Sequence, residues 1–288
     1  MSLLENEKCI QILSILNDTN QNIDEKKFKI DRIITNKISN ENIYKLHQSL
    51  NSLIGITLPV LNLPTEILSA FEPSQIGTII GTIMDACIPQ LDKIIDDSTL
   101  IEHMGLHKHE GLLGDREGYP DYKMDSGFRL ELKLLYVDPV NVVMKKPPTP
   151  RESSARLTQK VTYKNVDPSK DLLLVIAYQL NESQPNIYSP KIIGVGLFPV
   201  IECIIARDLR LSNGGGRWFG LFETPAVLSK LGKIKCKKNE PLNYNEYGRK
   251  ESEGFDFNED TNFGKLARIP YKELQSFINS YGLVEKIE

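Results

Sequence analysis

Long apolar runs are missing from this chain. No stretch of 18 consecutive apolar residues occurs among its 288 residues, so no segment reads as a membrane-spanning helix. Cysteine is scarce: Cys9, Cys87, Cys203 and Cys236 stand far apart without a Cys-x-x-Cys pair, which argues against a structural zinc or dithiol redox centre and fits reduced thiols. The opening Met-Ser-Leu-Leu-Glu-Asn-Glu-Lys lacks the basic and apolar regions of a secretory signal, so the expectation is a protein neither secreted nor membrane-spanning. A dominant charge is lacking too. The net charge is −3 and the pI near 5.9, which excludes an indiscriminate coat for nucleic acid and confines any DNA contact to local basic patches. No repeat period or low-complexity tract is visible. The glycines before Arg217 and the single tryptophan, Trp218, are not followed by the Lys-Ser/Thr of a phosphate loop, so a nucleotide cradle is not expected and a surface loop is the default.

What is present is ordinary for a globular protein, 40% hydrophobic and 25% charged, long enough for a large core in one domain or two. From residue 3 to about 53, apolar residues recur at spacings of three and four (Ile10, Leu13, Leu16; Phe28, Ile30, Ile33, Ile34; Ile43, Leu46, Leu50) between polar connections, predicting three amphipathic helices. Core cover is their simplest role, with dimerisation or DNA wrapping as alternatives. The expected division is an N-terminal helical region over 1–60 and one larger domain over 61–288. Pro59, Pro64 and Pro73 break the chain, after which Ser74 is a candidate cap for a helix from residue 75 to about 95, with Pro89 a kink or stop. Its stripe of Ile76, Ile79, Ile80, Ile83, Met84, Cys87 and Ile88 predicts deep burial. Asp85 is the exception, an acid that among such neighbours is paired, binds a metal or sits at an exposed edge.

The most informative stretch is residues 119–137. Runs alternating in polarity, 119–124 and 128–137, flank Asp125-Ser126-Gly127, the signature of a β-hairpin. With a three-residue loop and glycine in the left-handed position, Met124 pairs with Phe128 and Tyr122 opposes Leu130. Pro120, Tyr122, Met124, Phe128, Leu130, Leu132 and Leu134 then share an apolar face, and Asp121, Lys123, Arg129, Glu131 and Lys133 the other. A slip of one residue would mix the faces. In this register Asp121 lies opposite Glu131, and two facing carboxylates are unfavourable unless a positive charge sits between them. Their hard oxygens suit Mg²⁺, and Lys133, two residues from Glu131 on the same face, can reach a water or a phosphate oxygen. A half-exposed hairpin with salt bridges on its polar face is the plainer alternative.

Pro120-Asp121, nine intervening residues, then Glu131-Leu132-Lys133 resembles the PD-(D/E)xK motif of the restriction-endonuclease-like nuclease superfamily. The resemblance is close over about 20 residues and loose over about 100. It implies an α/β fold, with a central mixed β-sheet flanked by helices beside the N-terminal helical region. It also implies a Mg²⁺-dependent endonuclease in which Asp121 and Glu131 hold the metal and Lys133 positions the water. A helix ahead of the hairpin supplies a further acid in many such nucleases, which makes Asp85 a candidate, with Glu102, Glu110 and Glu117 as alternatives. Similarity to type II restriction enzymes adds the expectation of a bacterial, cytoplasmic homodimer cutting a short palindrome in double-stranded DNA. A repair or junction-resolving nuclease and a non-catalytic nucleic-acid or protein-binding module are the alternatives.

Between residues 145 and 164, Lys145, Lys146, Arg151, Arg156, Lys160 and Lys164 stand against Glu152 alone. With Gln159 among them they suit phosphate contacts and base edges, an exposed charged face being the alternative. His103, His107 and His109 invite a zinc reading, but Gly105 and Gly111 favour a loop and no cysteine is near. The continuous apolar run 171–178 predicts a central strand buried on both sides, with 191–198 as the next strand and an apolar stretch over 200–206 after it. A second cluster, Lys230, Lys233, Lys235, Lys237 and Lys238, an acidic segment over 251–260 and a closing helix over 270–281 complete the reading.

Overall fold

The structure, a computed structural model, describes residues 4–58, 61–90, 105–109, 119–137, 141–147, 154–157, 161, 163, 165–212, 216–217, 223–224 and 267–270. It is an α/β protein with a mixed β-sheet and flanking helices. By its internal contacts the chain divides into two compact units, one taking in Met1–Ile38, Arg156–Asp171 and Phe198–Glu273, the other Ser39–Ala155, Leu172–Leu197 and Leu274–Glu288. The first break in this division falls between residues 38 and 39.

In the first unit, α1 (Asn6–Asn17) and α2 (Ile23–Ile33) pack on each other and on α6 (Val200–Ser212). The apolar stretch at 200–206 is thus helical, and it joins helices nearly 200 residues earlier in the chain. Asn22 and Glu25 form a reciprocal capping box that satisfies two orphan amides at the start of α2. Cys9, Ile12 and Leu16 of α1 are buried against this packing, while Lys26 of α2, buried itself, donates from Nζ to the Leu16 carbonyl at 2.8 Å. Lys27 and Lys37 both reach Asp31 and Glu202, tying α2 to α6 by charge.

The second unit holds α3 (Asn40–Asn51), α4 (Thr65–Ser69), α5 (Pro73–Cys87) and a six-stranded sheet. Its strands are β1 (Leu63–Pro64), β2 (Leu106–Lys108), β3 (Tyr122–Met124), β4 (Arg129–Tyr136), β6 (Asp171–Gln184) and β7 (Ile187–Pro199), ordered β1-β7-β6-β4-β3-β2. A short strand β5 (Ser154–Leu157) lies outside this sheet. The first eight residues of β6 are all buried, as a strand covered on both faces requires. The continuous apolar run announced this strand. Asn186, with φ 62°, turns β6 into β7 in the left-handed conformation that asparagine tolerates.

α5 begins one residue before its expected cap. Glu72 is the N-cap and shares a capping box with Gln75, and Pro73 occupies N1, where its missing N–H costs nothing and its fixed φ suits the helix. Ser74 is therefore inside the helix. The helix stops at Cys87 and passes into a single 3₁₀ turn, Ile88–Gln90, with Pro89 inside it, short of the expected end near 95. Ile76, Ile80, Met84 and Ile88 are buried, while Ile79 is exposed, so the apolar stripe is narrower than the sequence pattern. Two tyrosine hydroxyls hold α5 down: Tyr178 of β6 donates to the Gly77 carbonyl at 2.8 Å, and Tyr122 of β3 donates to the Asp85 carbonyl at 2.6 Å. α5 covers β4, and it carries Asp85 to the hairpin.

Candidate active site

The hairpin has the expected register. Tyr122 pairs with Leu130 and Lys123 with Arg129, the Met124 amide donates to Phe128 at 2.8 Å, and Gly127 has φ +87°. Pro120, Tyr122, Met124, Leu130 and Leu132 are buried; Leu134 is only half-buried, and Leu135, on the opposite face, is buried instead. That second face is covered in part, with Lys123 exposed and Arg129, Glu131 and Leu135 buried. Arg129, assigned to it as a polar residue, is buried with its guanidinium 5.8 Å from the Tyr119 ring centroid.

One rung beyond Tyr122 and Leu130, the register sets Asp121 across from Glu131. The Tyr119-Pro120 bond before it is cis. Asp121 Oδ2 accepts the Leu132 N–H at 2.6 Å, which fixes the half-buried carboxyl against β4. Glu131 is 6% exposed; its Oε1 accepts Lys133 Nζ at 2.5 Å, and its buried Oε2 has no hydrogen-bond partner among the described residues. Lys133 also donates to the Leu132 carbonyl at 3.0 Å and keeps a quarter of its side-chain surface exposed.

Burial pushes the Asp121 carboxyl above its ordinary value and Asp85 adds to the rise, while Lys133, the Leu132 amide and Lys108 pull against it. Burial likewise raises Glu131, Lys133 opposes this, and Asp121 raises it further. Burial alone would depress the Lys133 ammonium, but Glu131 and Asp121 outweigh it and hold the group above its usual range. Lys133 is therefore a charged donor at neutral pH and not a base. A buried acid pair with an orphaned oxygen and one ammonium is short of positive charge.

Asp85, from the last turn of α5, comes to the flank of this pair. Its Oδ2 accepts Lys108 Nζ at 2.5 Å, and Tyr122 OH reaches its Oδ1 as well as its carbonyl. Burial first, then the Asp85 bond, raises the Tyr122 hydroxyl far above its normal range. The sequence reading missed Lys108 and the bridging part of Tyr122. Gly105 and the histidines read as loop, yet β2 is a strand pairing with β3 through Leu106↔Met124, His107↔Lys123 and Lys108↔Tyr122. A Cβ at Gly105, whose φ is +47°, would lie 2.1 Å from Asp125 Oδ2; glycine is there for close approach to the hairpin turn. His107 Nε2 meets Asp125 at 2.7 Å, and the His109 amide donates to the Asp121 carbonyl.

Of the expected DNA-contact residues, Lys145 and Lys146 are described with their side chains, and they lie away from the acid pair. Lys146 pairs with Glu72 at 2.7 Å, and the Lys145 amide donates to the Phe71 carbonyl, both at the start of α5. With 1.5 Å rise per residue, that end lies about 18 Å along the helix axis from Asp85. Arg156 falls in β5 with its side chain outside the described residues, and Arg151, Gln159, Lys160 and Lys164 lie outside them entirely, as do Glu102, Glu110, Glu117, His103 and the lysines over 230–238.

Among the described residues, no group of three or more histidine, cysteine or acidic side chains has the geometry of a metal site, and no helix is long and apolar enough to cross a membrane. The donors nevertheless fit a hard divalent cation through two carboxyls, because Glu131 Oε2 is buried without a partner beside a second acid. No known family model matches the chain, and no curated protein does.

Proposed function

We propose that the chain is a Mg²⁺-dependent endonuclease that hydrolyses phosphodiester bonds in double-stranded DNA as a type II restriction enzyme does. One observation carries this reading: the hairpin gathers Asp121, Glu131 and Lys133 into a single partly buried cluster, with the buried Glu131 bonded to Lys133 and one of its oxygens left over. Asp121 and Glu131 would hold the metal, and Asp85 is the extra acid nearest to them. When bound, magnesium neutralises phosphate charge and makes an attacking water more acidic.

The chain's own groups do the rest. Lys133, kept protonated by its acidic neighbours, donates a hydrogen bond to the attacking water or to a non-bridging phosphate oxygen. The Leu132 amide fixes the Asp121 carboxyl, so the acid does not have to reorganise as charge develops. Water adds to phosphorus and releases a proton to bulk solvent as the new P–O bond forms, the bond to the leaving oxygen breaks, and that oxygen takes a proton from solvent.

A single cluster serves one strand break. A homodimer, with part of its contact on the N-terminal helices, would place one cluster on each strand of a palindrome. Incubating the protein with plasmid DNA and Mg²⁺ tests the reading: discrete linear bands support it, intact plasmid at all magnesium concentrations overturns it, and nicked circles alone favour a repair or nicking enzyme. Light scattering should give about twice the chain mass of 32.6 kDa.

A further inference from the structure

β2 is the edge strand of the sheet, and Lys108 is its last residue. Lys108 pairs across the ladder with Tyr122, the residue after Asp121. Its ammonium lies 2.5 Å from Asp85 Oδ2 and 5.0 Å from the Tyr122 ring centroid, and 58% of its side chain is exposed. Lys133, by contrast, is tied to a buried glutamate. Both lysines act electrostatically on Asp121, Lys133 from β4 and Lys108 from the sheet edge. Lys108 is the more exposed.

Charge balance gives Lys108 a purpose. Three carboxylates, Asp85, Asp121 and Glu131, stand against two ammoniums, leaving one negative charge. A divalent cation reverses it, and one phosphodiester then restores neutrality. Without Lys108 the loaded centre would be neutral and would lose its net attraction for the phosphodiester. The Asp85–Lys108 pair is largely exposed, and such pairs contribute about 0–1 kcal/mol, so changing partners costs little.

We infer that Lys108 is a phosphate-binding residue, parked on Asp85 in the free protein and transferred to a backbone phosphate of DNA when Asp85 turns to a divalent cation. The inference rests on the nuclease reading above. On release, the Tyr122 ring keeps a cation-favouring face beside the departing ammonium, and Tyr122 OH continues to hold Asp85.

The test is a pair of titrations on the full chain, with Mn²⁺ in the absence of DNA and with a duplex oligonucleotide in Ca²⁺ at several salt concentrations. Lys108→Met should bind Mn²⁺ about threefold or more tighter, because no ammonium competes for Asp85. It should bind the duplex about tenfold more weakly, with a salt slope lower by about 1. Lys108→Arg should recover the DNA arm. These opposite shifts are not what a structural lysine gives: parallel losses in both titrations with a lowered Tm, or an unchanged duplex affinity and slope, overturn the inference. If wild type cleaves DNA while Lys108→Met behaves like it, only this inference falls. If wild type binds neither Mn²⁺ nor DNA, the nuclease reading falls and takes the inference with it.

Discussion

Removing one hydroxyl, Tyr122→Phe, separates positioning of the site from stability of the fold. The ring stays buried and Lys108 keeps its aromatic face, but the Asp85 carbonyl and carboxylate both lose their donor. A hydrogen bond to a charged group contributes about 1.5–3 kcal/mol when buried. Asp85 keeps 38% of its side-chain surface, so water replaces part of this, and about 1–2 kcal/mol is the expected loss. At roughly 2–4 °C per kcal/mol, Tm should fall by a few degrees. Tyr178→Phe is the matched control. It removes the 2.8 Å bond to the Gly77 carbonyl on the same helix, eight residues earlier, for a loss of about 1 kcal/mol. Mn²⁺ titration calorimetry with thermal melts reads both consequences. Tyr122→Phe should weaken Mn²⁺ binding severalfold and Tyr178→Phe should leave it unchanged. Equal weakening by both, or none by Tyr122→Phe, refutes a positioning role for the Tyr122–Asp85 bond.

The acid pair predicts how stability depends on pH. Asp121 and Glu131 are raised above their ordinary 3.8 and 4.5, foremost by burial, so the folded chain holds their protons longer than the unfolded one; their contribution falls as pH climbs from those values through the folded ones and stays lost above them. Melts from pH 4 to 8 without divalent cation should show Asp121→Asn gaining on wild type across that window, and a constant difference would contradict the assignment. Burial lowers His47, which has the opposite sign: its contribution is lost as pH falls below 6.5, and His47→Gln should flatten the acid limb of the same melts. Lys145, Lys160 and Lys164 changed together to alanine should lower the salt slope of DNA binding by about 1 each and weaken all sequences alike. Unchanged affinity at low salt would place that segment away from DNA.

The hairpin was legible because one buried face forces its register: Tyr122, Met124, Leu130 and Leu132 cannot move together to the other side of the sheet without losing their burial. β6 was legible for a related reason, since an uninterrupted run such as 171–178 has no polar face to expose. The N-cap of α5 was misread by residue preference, serine over glutamate, although the Glu72 and Gln75 spacing and the proline between them were in plain view. Lys108 was not legible. Its meaning comes from pairing with Tyr122 and from Asp85, which lies 23 residues away on a helix, and local pattern carries no such information. The union of α1, α2 and α6 is long-range in the same way.

The central claim is that Asp121 and Glu131 together hold a divalent cation. An anomalous difference map from crystals soaked in Mn²⁺ tests it directly. The account predicts a peak between the two carboxyls, with Glu131 Oε2 among the ligands at about 2.0–2.2 Å and the Lys133 ammonium still within reach of the site. A map with no peak there, and with Glu131 Oε2 still without a partner at saturating Mn²⁺, would contradict it.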